Sequence, residues 1–304
     1  MLLNTYRTSQ MLNQIARNIV VGGIVTAACI TSTSAMAFGA TLTNDWIYIS
    51  DSFNDSTARG FIGGPTVVGG TAFETYGMAL RVDDEADTFS FAISSNMPAD
   101  GGIYPQLNSN GHIGWGDFFL NFTGRSFPDA NGSLYGIRFS AANGSGVPLL
   151  GLYANATTKS VTAINDGWST VTSYMNTVTN SNGTPQMGAI ADHRTYMGES
   201  TDNVMASGTR IGDVWAADLS TLDFGANLAQ TGTHTFGFSV SRSLLPEGNF
   251  IASLIQECFN DAVAFIGRHE PEAVPVPEPS TILGFASVAL FGGLLKRKRA
   301  KTSL

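Results

Sequence analysis

Charge is the scarce commodity in this chain. Only 13% of its 304 residues are Asp, Glu, Lys or Arg, about half the usual share of a soluble domain. The surface must therefore be built from Ser, Thr, Asn and Gly. Before the last few residues the 16 Lys and Arg never cluster, and 24 Asp and Glu outnumber them. A nucleic-acid partner is excluded on that ground, because phosphate binders need grouped cations. Catalytic templates are missing as well. The chain has no G-x-S-x-G elbow, no H-E-x-x-H pair, no P-loop and no dinucleotide fingerprint. Its four histidines, His112, His193, His234 and His269, are far apart and read as ordinary surface or edge residues. Aromatic and β-branched residues, by contrast, run throughout, so disorder is excluded and a sizeable core is expected.

The few charges are unevenly placed. Every acidic residue lies between Asp45 and Glu278, while seven of the 16 basic residues lie outside that span. The interior carries 9 basic and 24 acidic residues, 9 − 24 = −15, against −8 for the whole chain. Lys159 is its only lysine.

Both basic ends flank apolar runs. Arg7 and Arg17 precede Ile19–Ile30, which is followed by Thr31-Ser32-Thr33-Ser34 and Ala35-Met36-Ala37. A basic start, about a dozen apolar residues and small residues at −3 and −1 form a secretory signal. Residues 1–37 are thus a signal peptide, helical in its apolar part, cut by signal peptidase after Ala37. Its apolar run is too short to span a bilayer. A lipoprotein site at Thr26-Ala27-Ala28-Cys29 lacks the expected Leu. Loss of Cys29 would leave Cys258 alone, with no intramolecular disulfide and the character of a small buried hydrophobe.

At the other end, residues 270–279 hold prolines at 271, 275, 277 and 279, an extended linker. Residues 280–304 follow. Ser280–Leu295 is uncharged and would reach about 24 Å as a helix, a short transmembrane segment. Lys296, Arg297, Lys298 and Arg299 come next, a stop-transfer cluster that stays on the cytoplasmic side and leaves the body outside.

Val276-Pro277-Glu278-Pro279-Ser280, followed by an apolar stretch and a terminal basic cluster, resembles the PEP-CTERM sorting tail. Pro277, Glu278 and Pro279 stand where that family has its signature tripeptide. The resemblance implies recognition by exosortase, a membrane-embedded cysteine transpeptidase of Gram-negative bacteria. It also implies cleavage near the tripeptide, release or attachment at the cell surface, and a link to exopolysaccharide.

Residues 38–269 read as one antiparallel β-sandwich or jelly-roll-like body, making the fold all-β. Short alternating runs are separated by Asn-Gly and Asp-Gly turns at 131, 143, 166 and 182. In Thr235–Ser241, Phe236, Phe238 and Val240 would share one face. Further strands are expected at 45–50, 73–82, 88–94, 117–122, 134–140, 149–153, 160–164, 208–216 and 250–258. Residues 177–209 look like long polar loops. Gly114-Trp115-Gly116-Asp117-Phe118-Phe119 resembles a WGD-like segment of exosortase-dependent surface proteins. Glu257-Cys258-Phe259-Asn260-Asp261 resembles their ECGND-like end strand, with Phe259 in place of Gly. No reaction accompanies that likeness.

Two kinds of ligand are suggested by residue type. Asp83, Asp84, Glu85 and Asp87 crowd one turn and could hold Ca²⁺, the one candidate cofactor; Asp51, Asn54 and Asp55 form a weaker grouping, and Asp129–Ser133 reads as a turn. Trp115 beside Asp117 is the best-grouped glycan contact, with Trp46, Trp168, Trp215, Tyr104 and Tyr174 as other ring candidates. The expectation is a non-enzymatic, exported surface or matrix protein associated with exopolysaccharide. A calcium-stabilised carbohydrate-binding module and a polysaccharide-modifying enzyme are the alternatives.

Overall fold

A computed structural model describes residues 40–59, 65–104 and 111–270. The signal peptide with Ala35 and Ala37, most of the proline-rich linker, Pro277-Glu278-Pro279, the apolar tail and Lys296–Arg299 lie outside the described residues. Among those described, no helix is long and apolar enough to cross a membrane.

Two six-stranded antiparallel sheets face each other. The first runs β1 (Thr41–Thr43), β2 (Trp46–Ser50), β5 (Thr75–Asp83), β6 (Thr88–Ser95), β14 (His234–Ser241) and β13 (Trp215–Ala216). The second runs β12 (Val204–Gly212), β11 (Gly151–Lys159), β10 (Leu134–Arg138), β9 (Trp115–Asn121), β15 (Gly248–Gln256) and β16 (Ala262–His269). Two small hairpins, β3 (Thr57–Arg59) with β4 (Thr66–Val68) and β7 (Gly102–Ile103) with β8 (His112–Ile113), sit outside these sheets.

Period-two alternation builds the space between the sheets. Phe89, Phe91 and Ile93 of β6 lie opposite Val240, Phe238 and Phe236 of β14 in register. They meet Phe118, Leu120, Phe250, Leu254 and Phe265 of the second sheet in one apolar cluster. Each such ring removed from water contributes about 2–3 kcal/mol.

Strand β9 has no wet face. Phe118 and Leu120 point between the sheets, while Phe119 joins a second cluster with Phe127, Tyr174, Met175, Val178, Tyr196 and Met205. Helices α1 (Val171–Asn180) and α2 (His193–Met197) supply that outer cover. A short α3 (Phe224–Asn227) does the same for Trp46 and Tyr48 on the first sheet.

The all-β sandwich therefore stands, with corrections in detail. The segment expected to be loops from 177 onward begins inside α1, and strand β12 starts at Val204. Asn182-Gly183 ends α1 instead of turning a hairpin: Asn182 takes φ +61° and the Gly183 N–H donates to Val178 O at 2.9 Å. Residues 160–164 are not a strand, for β11 stops at Lys159 and Thr162–Ile164 makes a 3-10 turn. Phe250–Cys258 overlaps strand β15, which runs Gly248–Gln256, and Cys258 is a free, buried thiol just beyond it.

Candidate metal centre

Three separate stretches of chain converge at one edge of the sandwich. Asp51 and Asp55 lie in the loop after β2, Glu74 immediately precedes β5, and Asp261 sits in the turn from β15 to β16. Asp55, Glu74 and Asp261 are 0% exposed and Asp51 is 7% exposed. One oxygen from each of Asp55, Glu74 and Asp261 lies within 4.8 Å of the others. Asp51 is near enough to feel the charge of both Asp55 and Glu74.

Asp51, Asp55 and Glu74 are each pinned by donors on one oxygen, and Asp261 on both. Asp51 Oδ1 accepts from the Gly188 N–H at 2.6 Å, and Asp55 Oδ2 from the Gln186 N–H at 2.8 Å. Glu74 Oε2 accepts from Ser56 Oγ at 2.7 Å and the Gly70 N–H at 2.5 Å. Asp261 accepts from the N–H groups of Thr75 and Ala262 at 2.6 and 2.7 Å. Gly188 has to be glycine: its φ is +52° and a Cβ would lie 2.2 Å from Ala264 O. As carboxylates, Asp51 Oδ2, Asp55 Oδ1 and Glu74 Oε1 meet no donor, and neither does the buried Thr75 Oγ1; the Asp55 and Glu74 carboxyls lie close enough to share a proton when one of them is protonated.

Such an arrangement is electrostatically unfavourable alone. Two charges 4.8 Å apart repel by about 3 kcal/mol at an effective dielectric of about 20. Burial first, and then the neighbouring carboxylates, push Asp51 and Asp261 well above the usual carboxylate range. Desolvation likewise pushes Asp55 up to about 8 and raises Glu74. Ion pairs among the described side chains join Arg194 to Asp192, Arg210 to Asp213, Arg242 to Asp84 and Arg268 to Glu270. None of them includes these four acids. The donor set is all oxygen, which suits a hard divalent cation.

The acidic turn singled out in the sequence is built differently. Asp83 Oδ1 accepts from the Ala86 N–H at 2.8 Å, and Asp84 pairs with Arg242 Nη1 at 2.7 Å. Asp87 accepts from the hydroxyls of Ser241 and Ser243 and from the Ser243 N–H; desolvation is the largest single influence and raises its carboxyl, but these hydrogen bonds and the Arg242 charge together outweigh it and lower it. Glu85 is exposed. The turn thus spends its oxygens on joining the β5–β6 hairpin to the end of β14. At Asp129–Ser133 the turn reading agrees with a 3-10 helix at Pro128–Ala130, where Asp129 accepts from Ser126 Oγ at 2.6 Å.

Trp115 and Asp117 are also placed against expectation. Trp115 is 0% exposed, and its indole N–H donates to Pro98 O at 2.9 Å. No ring face remains for a sugar. Asp117, equally buried, accepts from Ser145 Oγ and the Met205 N–H, both at 2.7 Å, and from Asn143 Nδ2 at 3.0 Å.

The two segments that resemble exosortase-dependent surface proteins meet in space. The Gly114 N–H donates to Glu257 Oε2 at 2.8 Å, the Glu257 N–H donates to Gly114 O at 3.0 Å, and the Gly144 N–H reaches Glu257 Oε1. A Cβ on Gly116 would lie 1.9 Å from Asn203 O. Phe259 adopts φ +56°, a conformation that glycine tolerates and phenylalanine rarely takes; its ring packs on Tyr174 and His193. Burial raises the carboxyls of Asp117 and Glu257 and the Cys258 thiol, which leaves that thiol without nucleophilic thiolate character.

Two histidines expected at the surface are buried. His193 is 0% exposed with neither ring nitrogen partnered, and desolvation drives its pKa down to about 4. His269 is 5% exposed and bonded to Pro246 O and Arg242.

Sequence reasoning reached Asp51 and Asp55 but not Glu74 and Asp261 as members of one site. Asn54, grouped with the first two, instead accepts from Ser52 Oγ and the Thr184 N–H. The usable signal was an acid inside the apolar stretch Phe73-Glu74-Thr75-Tyr76, a position a β-sandwich buries.

The PEP-CTERM protein-sorting motif matches residues 275–299. The chain is an exported protein sorted by exosortase. The match takes in Pro277, Glu278, Pro279 and Lys296–Arg299 and stops short of the sandwich. No curated protein and no solved structure matches the chain.

Proposed function

We propose that the protein is a non-enzymatic component of the cell surface or extracellular matrix that associates with exopolysaccharide through its β-sandwich. The PEP-CTERM motif at residues 275–299 carries this reading, since it marks the route by which the body reaches the outside. Signal peptidase would act after Ala37 and exosortase near Pro277-Glu278-Pro279, with the apolar tail holding the chain in the membrane until then.

Burial supports a non-enzymatic role. The acids that the fold perturbs most, Asp51, Asp55 and Asp261, are sealed from anything as large as a sugar. An exposed apolar face supports the polysaccharide contact. Trp215, on the edge strand β13, is 43% exposed and borders a hollow of about 220 Å³ with Phe139, Leu150, Val214 and Phe236. Ring faces of this kind stack on sugar C–H groups, and the Arg210–Asp213 ion pair lies next to it in the chain.

The test compares wild-type protein with Trp215→Ala in a producing host. Intact mass should show a secreted form starting at Phe38 and lacking residues beyond the tripeptide. A tail retained to Leu304 despite active exosortase would refute the processing. Trp215→Ala should leave secretion and the processing at both ends unchanged while lowering the fraction held in the polysaccharide matrix severalfold; unchanged retention would refute the contact.

A further inference from the structure

We propose that Asp55, Glu74 and Asp261, with Asp51 beside them, form a calcium site that clasps the two sheets of the sandwich together. Asp51 and Glu74 flank strands of the first sheet, Asp261 immediately precedes a strand of the second, and Asp55 lies in the loop after β2. An ion held by Asp55, Glu74 and Asp261 would cross-link the sheets at one edge, with the charge of Asp51 beside it. It would also fix the loop at Gln186–Gly188, whose N–H groups already bind Asp55 and Asp51.

Two independent observations point to a ligand. One is the convergence of three buried carboxylates within 4.8 Å. The other is the set of side-chain oxygens left without any partner in a fully enclosed place: Asp55 Oδ1, Glu74 Oε1 and, at 7% residue exposure, Asp51 Oδ2. Buried carboxylate oxygens are rarely left orphaned. A divalent ion supplies both the missing bonds and the missing positive charge.

Chemistry narrows the ion. The set contains no thiolate or imidazole, which disfavours zinc and copper. Magnesium keeps several of its waters and demands a small, near-ideal octahedron, whereas calcium accepts six to eight oxygens at looser distances. Carboxylates from separate chain segments in an enclosed site fit calcium. Sites in extracellular modules bind in the range of about 10⁻⁴–10⁻³ M. An exported body would therefore load its clasp after leaving the cytoplasm. The site rests on the sandwich alone and holds whether or not the tail is processed.

Thermal and urea unfolding of the full chain, with chelator or with about 10 mM calcium, tests this. At a dissociation constant of about 10⁻⁴ M, calcium should favour the folded state about a hundredfold. Asp55→Asn together with Glu74→Gln should remove that calcium effect while leaving stability in chelator equal to or above wild type, because charge repulsion is relieved. Asp84→Asn, in the surface turn, should keep the calcium effect. Terbium luminescence excited through tryptophan should appear with one ion per chain and be displaced by calcium, since Trp168 donates to Thr57 beside the site. Should the double variant not fold, terbium binding by wild type decides alone. Absence of any calcium shift at millimolar levels, an equal shift with magnesium, or a calcium shift that survives the double substitution overturns the proposal. A shift lost in Asp84→Asn would relocate the ion to the turn and overturn it too.

Discussion

Replacing Asp117 by alanine separates a structural carboxylate from a ligand-binding one. The side chain holds Ser145, Asn143 and the backbone of Met205 with three hydrogen bonds of 2.7–3.0 Å, and it stands close enough to Arg138 for the two charges to interact. A hydrogen bond to a charged group contributes about 1.5–3 kcal/mol, and orphaned buried donors add to the loss. Against this stands the desolvation of the carboxylate, the largest influence on its raised pKa. Three bonds less that cost leave an expected loss of about 3–4 kcal/mol for Asp117→Ala. Asp117→Asn should lose about half as much, because one amide oxygen still accepts while the amide N–H₂ group opposes a donor. The assay is urea unfolding followed by tryptophan fluorescence, with Trp115 two residues away reporting from the core. A loss of about 3 kcal/mol lowers the folding equilibrium more than a hundredfold. If Asp117→Ala changes stability by less than about 0.5 kcal/mol and instead abolishes polysaccharide retention, the burial argument fails and the residue contacts ligand.

Two further substitutions probe the same region. Gly116→Ala would drive a Cβ to 1.9 Å from Asn203 O and 2.6 Å from Ile255 O. Both are backbone atoms that cannot swing aside, so a loss of about 3 kcal/mol or more is expected; a circular-dichroism melt indistinguishable from wild type would refute the close approach. His193 tests pH dependence. Its folded pKa is depressed to about 4 from 6.5, so the unfolded chain takes up the proton first and stability is full above 6.5. As pH falls from 6.5 to about 4 the histidine should withdraw about 3 kcal/mol. Asp192, the neighbouring charge, opposes the shift only weakly, and Tyr174 and Phe259 cover the ring. His193→Phe should flatten that part of the stability profile, measured as the difference between variant and wild type at each pH. An unchanged slope would show that His193 titrates normally.

Much of the fold was legible because alternation and turn chemistry are local. Phe236, Phe238 and Val240 share a face, as their spacing implies, and β15 lies where Phe250–Cys258 suggested a strand. Helix α1 was hidden by composition. Its sequence Val171–Asn180 is rich in threonine and valine, poor helix formers, yet Val171, Tyr174, Met175 and Val178 make a buried stripe at helical spacing behind a Thr170 cap. Tertiary packing on β9 decided the matter. The WGD and ECFND segments read as separate motifs; only pairing of β9 with β15 brings Glu257 against Gly114.

The acids divide along the same line between local and non-local information. Four carboxylates in five residues at 83–87 look like a site in one dimension, but closeness in sequence puts them on a hairpin tip. There water and the Ser241–Ser243 hydroxyls are at hand, and each charge is satisfied where it stands. Asp51, Asp55, Glu74 and Asp261 are spread over some two hundred residues and look unremarkable one by one. A sandwich buries them together because their neighbours Phe73, Ile49 and Val263 belong to the core. Burial removes water, the one partner an exposed acid always has. With 9 basic against 21 acidic residues in the body, 9 − 21 = −12, and few cations to spare, the fold has little of its own charge with which to replace it. The same low-charge composition that equips the chain for the outside thus makes the edge of its sandwich depend on a positive charge brought from there.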